Sequence, residues 1–275
     1  MYLHLIFCII RPIMKIILIG AGRLATNLAK ALLKTGHDIL QVYSRTEKSA
    51  TELADIAGAA PVTELSRVRD DADLYILSVK DSALAELIPS LCHGKETKVF
   101  VHTAGSIPMD IFEGMALHYG VLYPMQTFSK EKEVDFSVIP CFIEGNDEFS
   151  EGVIAALAHD LSQSVFKLSS EDRKYLHLAA VFACNFANHC FAISHDLLAK
   201  HGIPFDVMLP LIDETAGKVH TLTPAGAQTG PAVRYDENVI RTQMELLRDN
   251  PLFRDIYERM SMSIHLMAQN NQENK

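Results

Sequence analysis

The stretch KIILIGAGRLATNLAKALLKTG, Lys15 to Gly36, constrains the fold more than any other part of the chain. A short, apolar, β-branched run ending at Ile19 has the pattern of a buried strand. It breaks at Gly20-Ala21-Gly22, and an amphipathic stretch follows at once, with Leu24, Leu28, Ala31 and Leu32 on one helical face. Strand, glycine turn and helix in this order are what a dinucleotide-binding unit requires. One glycine closes the tight turn, a second lets backbone approach a pyrophosphate, and a small third residue lets the helix pack on the strand. Gly20, Gly22 and Ala25 fill these positions. Arg23 stands just before a helix expected over Leu24–Lys34, whose N–H groups and positive dipole end face the phosphates. The alternative is a glycine-rich turn in an α/β domain that holds no cofactor.

The rest of the first half repeats the unit. Strands are expected at Asp38–Tyr43, Ala60–Val62, Ala72–Val79 and Lys98–Gly105, and helices at Glu47–Ala57 and Ser82–Leu91. Further strands are expected at Val121–Tyr123, Ile139–Glu144 and Ser164–Leu168, with a helix at Asp147–Ser162. Such alternation means βαβ units and a mostly parallel, doubly wound sheet, the Rossmann class of α/β domain, over residues 14–168.

The second strand ends in VYSRT, which addresses the choice of cofactor. NAD-binding chains carry an acid there for the ribose 2′-hydroxyl. Here Ser44, Arg45 and Thr46 stand instead. A guanidinium and two hydroxyls suit a 2′-phosphate, so NADP is favoured over NAD. The competing reading makes Arg45 a solvated charge at a strand end.

Ligands in open α/β sheets lie beyond the carboxyl ends of the strands. Ser78, Val79 and Lys80 follow one such end, and Thr103, Ala104 and Gly105 follow the next. These six are expected to border the cofactor. Tyr123-Pro124-Met125-Gln126-Thr127 follows a third end. Gln126 and Thr127 can hydrogen-bond a carbonyl or imine, or serve only the turn around Pro124.

At Ser169 the pattern becomes all-α. A helix capped by Ser169 or Ser170 runs toward Gly202, and helices follow near Asp206–His220, Asp236–Asp249 and Leu252–Ala268. Residues 169–275 are therefore expected to form a helical domain for substrate and dimerisation. The long helix is apolar almost all round from Leu178 to Ile193, which predicts burial in a homodimer through this domain. Asn185, Asn188 and His189 interrupt it and argue against a membrane span. The loop TPAGAQTGPAVRYD is long for a helix connection, and such loops are often functional. Thr229 lies in its turn, and Arg234 either binds a substrate carboxylate or pairs with Asp236 or Glu237.

Composition narrows the partners. A net charge of −9 over 275 residues argues against a broad nucleic-acid surface. Cys8, Cys92, Cys141, Cys184 and Cys190 are scattered and odd in number, which suits a reducing cytoplasm rather than a disulfide framework. The histidines show no metal-binding spacing, with His189, His195 and His201 scattered around a helix, so no metal is expected. Residues 1–13 are apolar but lack the layout of a signal peptide. With a second possible start at Met14, they are expected to be an extension without a role in function.

The segments KIILIGAGRLA, VYSRT, ADLYILSVKDSAL, HTAGS, YPMQTFS, LHLAAVFACNFANH and QTGPAVRYD occur in an order that resembles a group of bacterial Rossmann-like proteins with a helical C-terminal domain. That group has no settled substrate. It is similar to pyrroline-5-carboxylate reductase, deazaflavin-dependent NADP reductases, and 6-phosphogluconate and ketopantoate dehydrogenases. The resemblance runs from about Met14 to about Leu266 and departs at two places. Tyr123 stands where the group has His before Pro, and Arg234-Tyr235-Asp236 stands where it has Arg-Gly-Asp. The resemblance implies a dehydrogenase-type C-terminal domain whose first helix faces the nicotinamide. On that helix it points to His177 as general acid, Asn185 as a carbonyl-orienting group and Lys174 as the alternative acid. His177 packing in the core is the competing reading. The function implied is hydride transfer between NADP(H) and a small carbonyl, imine or alcohol. A dinucleotide-binding regulator or sensor without turnover is the alternative.

Overall fold

The computed structural model describes residues 13–273. The expectation for residues 1–13 therefore falls almost wholly outside the described residues. The chain divides into two compact units, one ending at Cys184 and one beginning at Asn185.

The first unit is built on an eight-stranded sheet in the order β3-β2-β1-β4-β5-β6-β7-β8. Its strands are β1 (Lys15–Ile19), β2 (Asp38–Tyr43), β3 (Ala60–Val62), β4 (Leu74–Leu77), β5 (Val99–His102), β6 (His118–Pro124), β7 (Cys141–Gly145) and β8 (Val165–Lys167). Neighbours pair in parallel except β6 with β7, which run antiparallel. This is the Rossmann architecture, with β7 and β8 reversed at one edge.

Strand periodicity produces the layers. In β1, Ile16 and Leu18 enter one core cluster while Ile17 and Ile19 enter the other, and all four are fully buried. Each such side chain contributes about 1.5–3 kcal/mol of burial free energy. One face of the sheet is covered by α1 (Arg23–Lys34), α2 (Glu47–Ala57) and α4 (Glu148–Leu161), through Leu28, Leu32, Leu53 and Leu157. The other face is covered by α3 (Asp81–Cys92), through Leu84, Leu87, Ile88 and Leu91. Asp147 closes the first turn of α4 by a capping box with Ser150.

Helix α5 (Ser170–Ala180) opens with Ser169 as N-cap, its hydroxyl accepting from the Asp172 N–H. A π-helical stretch, Val181–Phe186, then leads into α6 (Ala187–Ala199). The secondary-structure pattern changes at Ser169, yet the first compact unit continues to Cys184. The physical reason is a buried charge on α5. Arg173 is 1% exposed and donates to Glu144 Oε2 on β7 at 2.7 Å, and to the Ile107 carbonyl. Ser170 donates to the same carboxylate from its N–H and its hydroxyl. The start of α5 is thereby tied to the sheet.

The second unit contains α6, α7 (Leu209–Lys218), α8 (Pro224–Ala227), α9 (Pro231–Arg234), α10 (Glu237–Leu246) and α11 (Pro251–Glu273). The long loop of the sequence thus holds two single-turn helices. Few side chains of this unit are buried, and Leu211, Leu246, Leu252 and Leu266 are each more than half exposed.

Candidate active site

The order of the sheet reverses direction at β1, which lies between β2 and β4. Crevices form at such a switch point, outside the carboxyl ends of the strands. A cleft of about 950 Å³ lies there, in the first unit.

The glycine turn forms one wall. Gly20 has φ +117°, a conformation that side chains strongly disfavour. A Cβ there would also lie 2.2 Å from the Ser78 carbonyl oxygen on the neighbouring strand end. The ends of β1 and β4 approach this closely because Ser78 N–H donates to the Ile19 carbonyl at 2.8 Å. Gly22 is different. It is exposed, it is the N-cap of α1 without a side-chain cap, and a Cβ there would meet nothing within 4 Å. The first turn of α1 carries no acidic residue. The backbone beside Gly22 is open, its N–H groups lack side-chain acceptors, and no carboxylate competes for an anion. Arg23 and Leu24 line the cleft here, and Ala25 is buried where α1 meets the sheet.

Ser44, Arg45 and Thr46 line the same cleft beyond β2. Arg45 is exposed, and Thr46 is the N-cap of α2 but makes no side-chain cap, so its hydroxyl can serve a ligand. Glu47 follows in the first turn and is not among the residues lining the cleft. This donor set and the bare glycine turn fit a phosphorylated dinucleotide.

The third group comes from the ends of β4 and β5. Ser78, Val79, Lys80, Thr103, Ala104 and Gly105 all border the cleft. Thr103 Oγ1 donates to Ser78 Oγ at 3.3 Å, and Ser106 Oγ donates to Asp81 at 2.6 Å, linking the two loops. Buried His102 fixes the second loop. Its Nδ1 accepts the Ala104 N–H at 3.1 Å, and its Nε2 lies 3.3 Å from the Pro108 carbonyl. Burial, helped by the nearby Arg173 charge, pushes the His102 pKa down to about 4. The ring is therefore neutral and donates from Nε2.

His177 reaches the cleft from α5, one helical turn after Arg173. Its Nδ1 lies 3.0 Å from the Tyr123 hydroxyl at the end of β6, with the two rings edge to face. The imidazole rests on Gly105, where a Cβ would stand 2.4 Å from Nδ1. Tyr123 is 9% exposed, and burial raises its pKa above the ordinary phenol value. Residue spacing gave no sign of this pair. Tyr123 drew notice only as a departure from the group's His-Pro pattern, and that position was the signal available.

Gln126 lines the cleft, whereas exposed Thr127 is not among its lining residues and donates from its N–H to Gln126 Oε1. Lys174 is exposed and paired with Glu171 at 3.1 Å, away from the lining. Asn185, Thr229 and Arg234 belong to the second unit, where Thr229 and Arg234 are exposed. Among the described residues, no group of His, Cys, Asp or Glu is placed to hold a metal ion.

Comparison with known proteins gives two family matches. Residues 15–105 match the family described as NADP oxidoreductase coenzyme F420-dependent, and residues 139–264 match the domain of unknown function DUF2520. No curated protein matches. Among solved structures, a Bacteroides fragilis protein, provisionally named an NADP oxidoreductase, is 57% identical. That match covers 92% of this chain and 98% of the other, with a TM-score of 0.89. An imine reductase from Myxococcus stipitatus, solved with NADP+, is 15% identical over 94% of each chain, with a TM-score of 0.65. A 1-pyrroline-5-carboxylate reductase from Streptococcus pyogenes is 15% identical over 92% of this chain and 98% of its own, with a TM-score of 0.61. The last two likenesses are of fold.

Proposed function

This chain belongs to the family of Rossmann-like proteins that join an NADP-oxidoreductase domain to a helical C-terminal domain, and from that premise we propose that it transfers a hydride between NADP(H) and a small carbonyl, imine or alcohol. One observation carries the reading. A single cleft is lined by the bare glycine turn, by Ser44-Arg45-Thr46, and by the hydrogen-bonded pair of Tyr123 and His177.

The residues divide the work. The backbone around Gly20 and Gly22 and the start of α1 bind the pyrophosphate. Arg45 with the Ser44 and Thr46 hydroxyls holds the 2′-phosphate through charge-assisted hydrogen bonds. Val79, Thr103 and Ala104 border the nicotinamide end, with His102 bonded to the Ala104 N–H in the loop after β5. When bound, the cofactor supplies or accepts the hydride. His177 and Tyr123 hold the proton that completes the reaction, and Gln126 is available to orient the substrate.

Arg45→Asp tests the cofactor assignment. It replaces a charge-assisted bond by repulsion and is expected to weaken NADPH by at least about 2 kcal/mol. NADH, which has no 2′-phosphate, is expected to be little affected. Fluorescence titration of both cofactors decides it, and equal loss for the two would remove Arg45 from the 2′-phosphate site. NADPH consumption against a panel of carbonyls and imines tests turnover. Tight NADPH binding with no consumption by any compound would shift the reading to a dinucleotide sensor.

The apolar surface of the second unit supports a homodimer. The helical run Ser170–Ala199 is long and apolar enough to cross a membrane by length and composition, and its apolar window is not buried within the chain. Leu211, Leu246, Leu252 and Leu266 of the second unit are exposed as well. A second copy related by twofold symmetry covers such a surface at once, because the same patch meets itself. The thiols of Cys92, Cys141, Cys184 and Cys190 are free, which suits a cytoplasmic dimer. Light scattering is expected to give twice the 30.5 kDa chain mass. A stable monomer, or a protein recovered only with membranes, would overturn this assembly.

A further inference from the structure

The Tyr123–His177 pair lies at the ends of β6 and α5, separated by 54 residues in sequence and joined at 3.0 Å inside the cleft. A phenol oxygen can accept one hydrogen bond and still donate its own proton. His177 Nδ1 faces that oxygen, and the backbone of Gly105 lies against the same side of the ring. Nδ1 is thus occupied by tyrosine and walled by glycine. With Nδ1–H donating to Oη, the tyrosine O–H is free to turn toward the cleft.

We propose that Tyr123, not His177, is the group that protonates the substrate, and that His177 acts through it by orienting and reprotonating the phenol. The proposal deepens the oxidoreductase reading and rests on it. In the reducing direction, hydride from the reduced nicotinamide forms the new C–H bond, and the C=O or C=N π pair moves onto oxygen or nitrogen. That atom takes the proton of Tyr123, whose O–H bond breaks and leaves its electron pair on the phenolate. The phenolate takes the Nδ1 proton of His177 while Nε2 takes one from water. The net proton therefore comes from solvent, and both side chains finish neutral.

The local electrostatics fit this order. Burial raises the Tyr123 pKa, so the phenol carries its proton at neutral pH. Arg173 acts in the opposite sense and favours the phenolate, while Cys184 disfavours it. The guanidinium thus helps stabilise the charge that appears once the proton has left. Arg173 itself is a positioning residue, because Glu144, the Ile107 carbonyl and the Ser170 hydroxyl take hydrogen bonds from its Nη groups.

The test uses Tyr123→Phe, His177→Ala and His177→Asn in the full-length protein, with three readouts. The first is tyrosinate ultraviolet absorbance during alkaline titration, with Tyr123→Phe as the baseline that isolates one phenol. Loss of the Nδ1 donor in His177→Ala is expected to raise that titration by about one pH unit. The Asn amide can stand near Nδ1, so His177→Asn is expected to restore it. The second readout is NADPH binding by fluorescence, expected to hold in all three variants. The third is NADPH consumption with any active carbonyl or imine. Tyr123→Phe is expected to slow it about 10²-fold, and His177→Asn is expected to remain slow despite its restored titration. A phenol titration unchanged in His177→Ala overturns the pairing. A Tyr123→Phe variant at the native rate overturns the donor assignment. Failure of the native protein to bind NADPH would instead overturn the oxidoreductase reading, and the optical titration would still report on the pair.

Discussion

Arg173→Ala is expected to lower folding stability by about 3–5 kcal/mol, the cost of breaking a buried ion pair on one side only. The guanidinium is 1% exposed, and its partner Glu144 keeps only 15% of its side-chain surface in water. Removal leaves that carboxylate partly buried with only the Ser170 donors, and takes a donor from the Ile107 carbonyl. It also leaves a cavity between α5 and the sheet. Equilibrium urea denaturation measures the loss. The double variant Arg173→Met, Glu144→Gln is expected to recover part of it, because no uncompensated charge remains. A single variant within about 1 kcal/mol of the native protein would show that the pair adds little. The same substitution bears on the cleft, since His177 stands one helical turn along from Arg173.

Gly20→Ala and Gly22→Ala are expected to fail in opposite ways. At Gly20, an added methyl meets both a positive φ and a backbone oxygen at 2.2 Å. Backbone cannot swing aside as a side chain does, so the ends of β1 and β4 must separate. The expected loss is about 3 kcal/mol or more of stability, together with the loss of NADPH binding. At Gly22, φ is −80° and a methyl has open space, so the fold is expected to keep its melting temperature. That methyl occupies the bare backbone where a phosphate must approach, and NADPH affinity is expected to fall. Thermal melts beside NADPH titrations separate the two. A destabilised Gly22→Ala with normal affinity would sink the assignment of the glycine turn as a phosphate cradle.

Much of the first unit was legible from local pattern. The strands at Lys15–Ile19, Asp38–Tyr43 and Ala60–Val62 and the helix at Glu47–Ala57 have the residues that periodicity assigns them. Strand and helix periods are properties of consecutive residues, and Gly20, Gly22 and Ser44-Arg45-Thr46 mark turns through their own backbone and side-chain chemistry. Strand ends were less legible. The runs Ala72–Val79 and Lys98–Gly105 shorten to Leu74–Leu77 and Val99–His102, because the loops beyond them bend into the cleft. β6 instead extends to His118–Pro124, because its parallel pairing with β5 begins at His118 and its antiparallel pairing with β7 runs from Gly120 to Pro124.

The sequence by itself determined the α/β alternation, the glycine turn and the cationic strand end Ser44-Arg45-Thr46. Tertiary structure alone decided three further matters: why Gly20 admits no side chain, why Arg173 is buried, and which partner His177 meets. In sequence, Arg173 stands in SSEDRK, which reads as the solvated first turn of a helix. Only the antiparallel placement of β7 brings Glu144 beneath that turn. Likewise, Tyr123 and His177 meet because the sheet order brings the end of β6 to α5. Local spacing encodes the direction of each side chain along its own element. Strand order and crossover packing decide which elements become neighbours, and no periodicity within a segment carries that information.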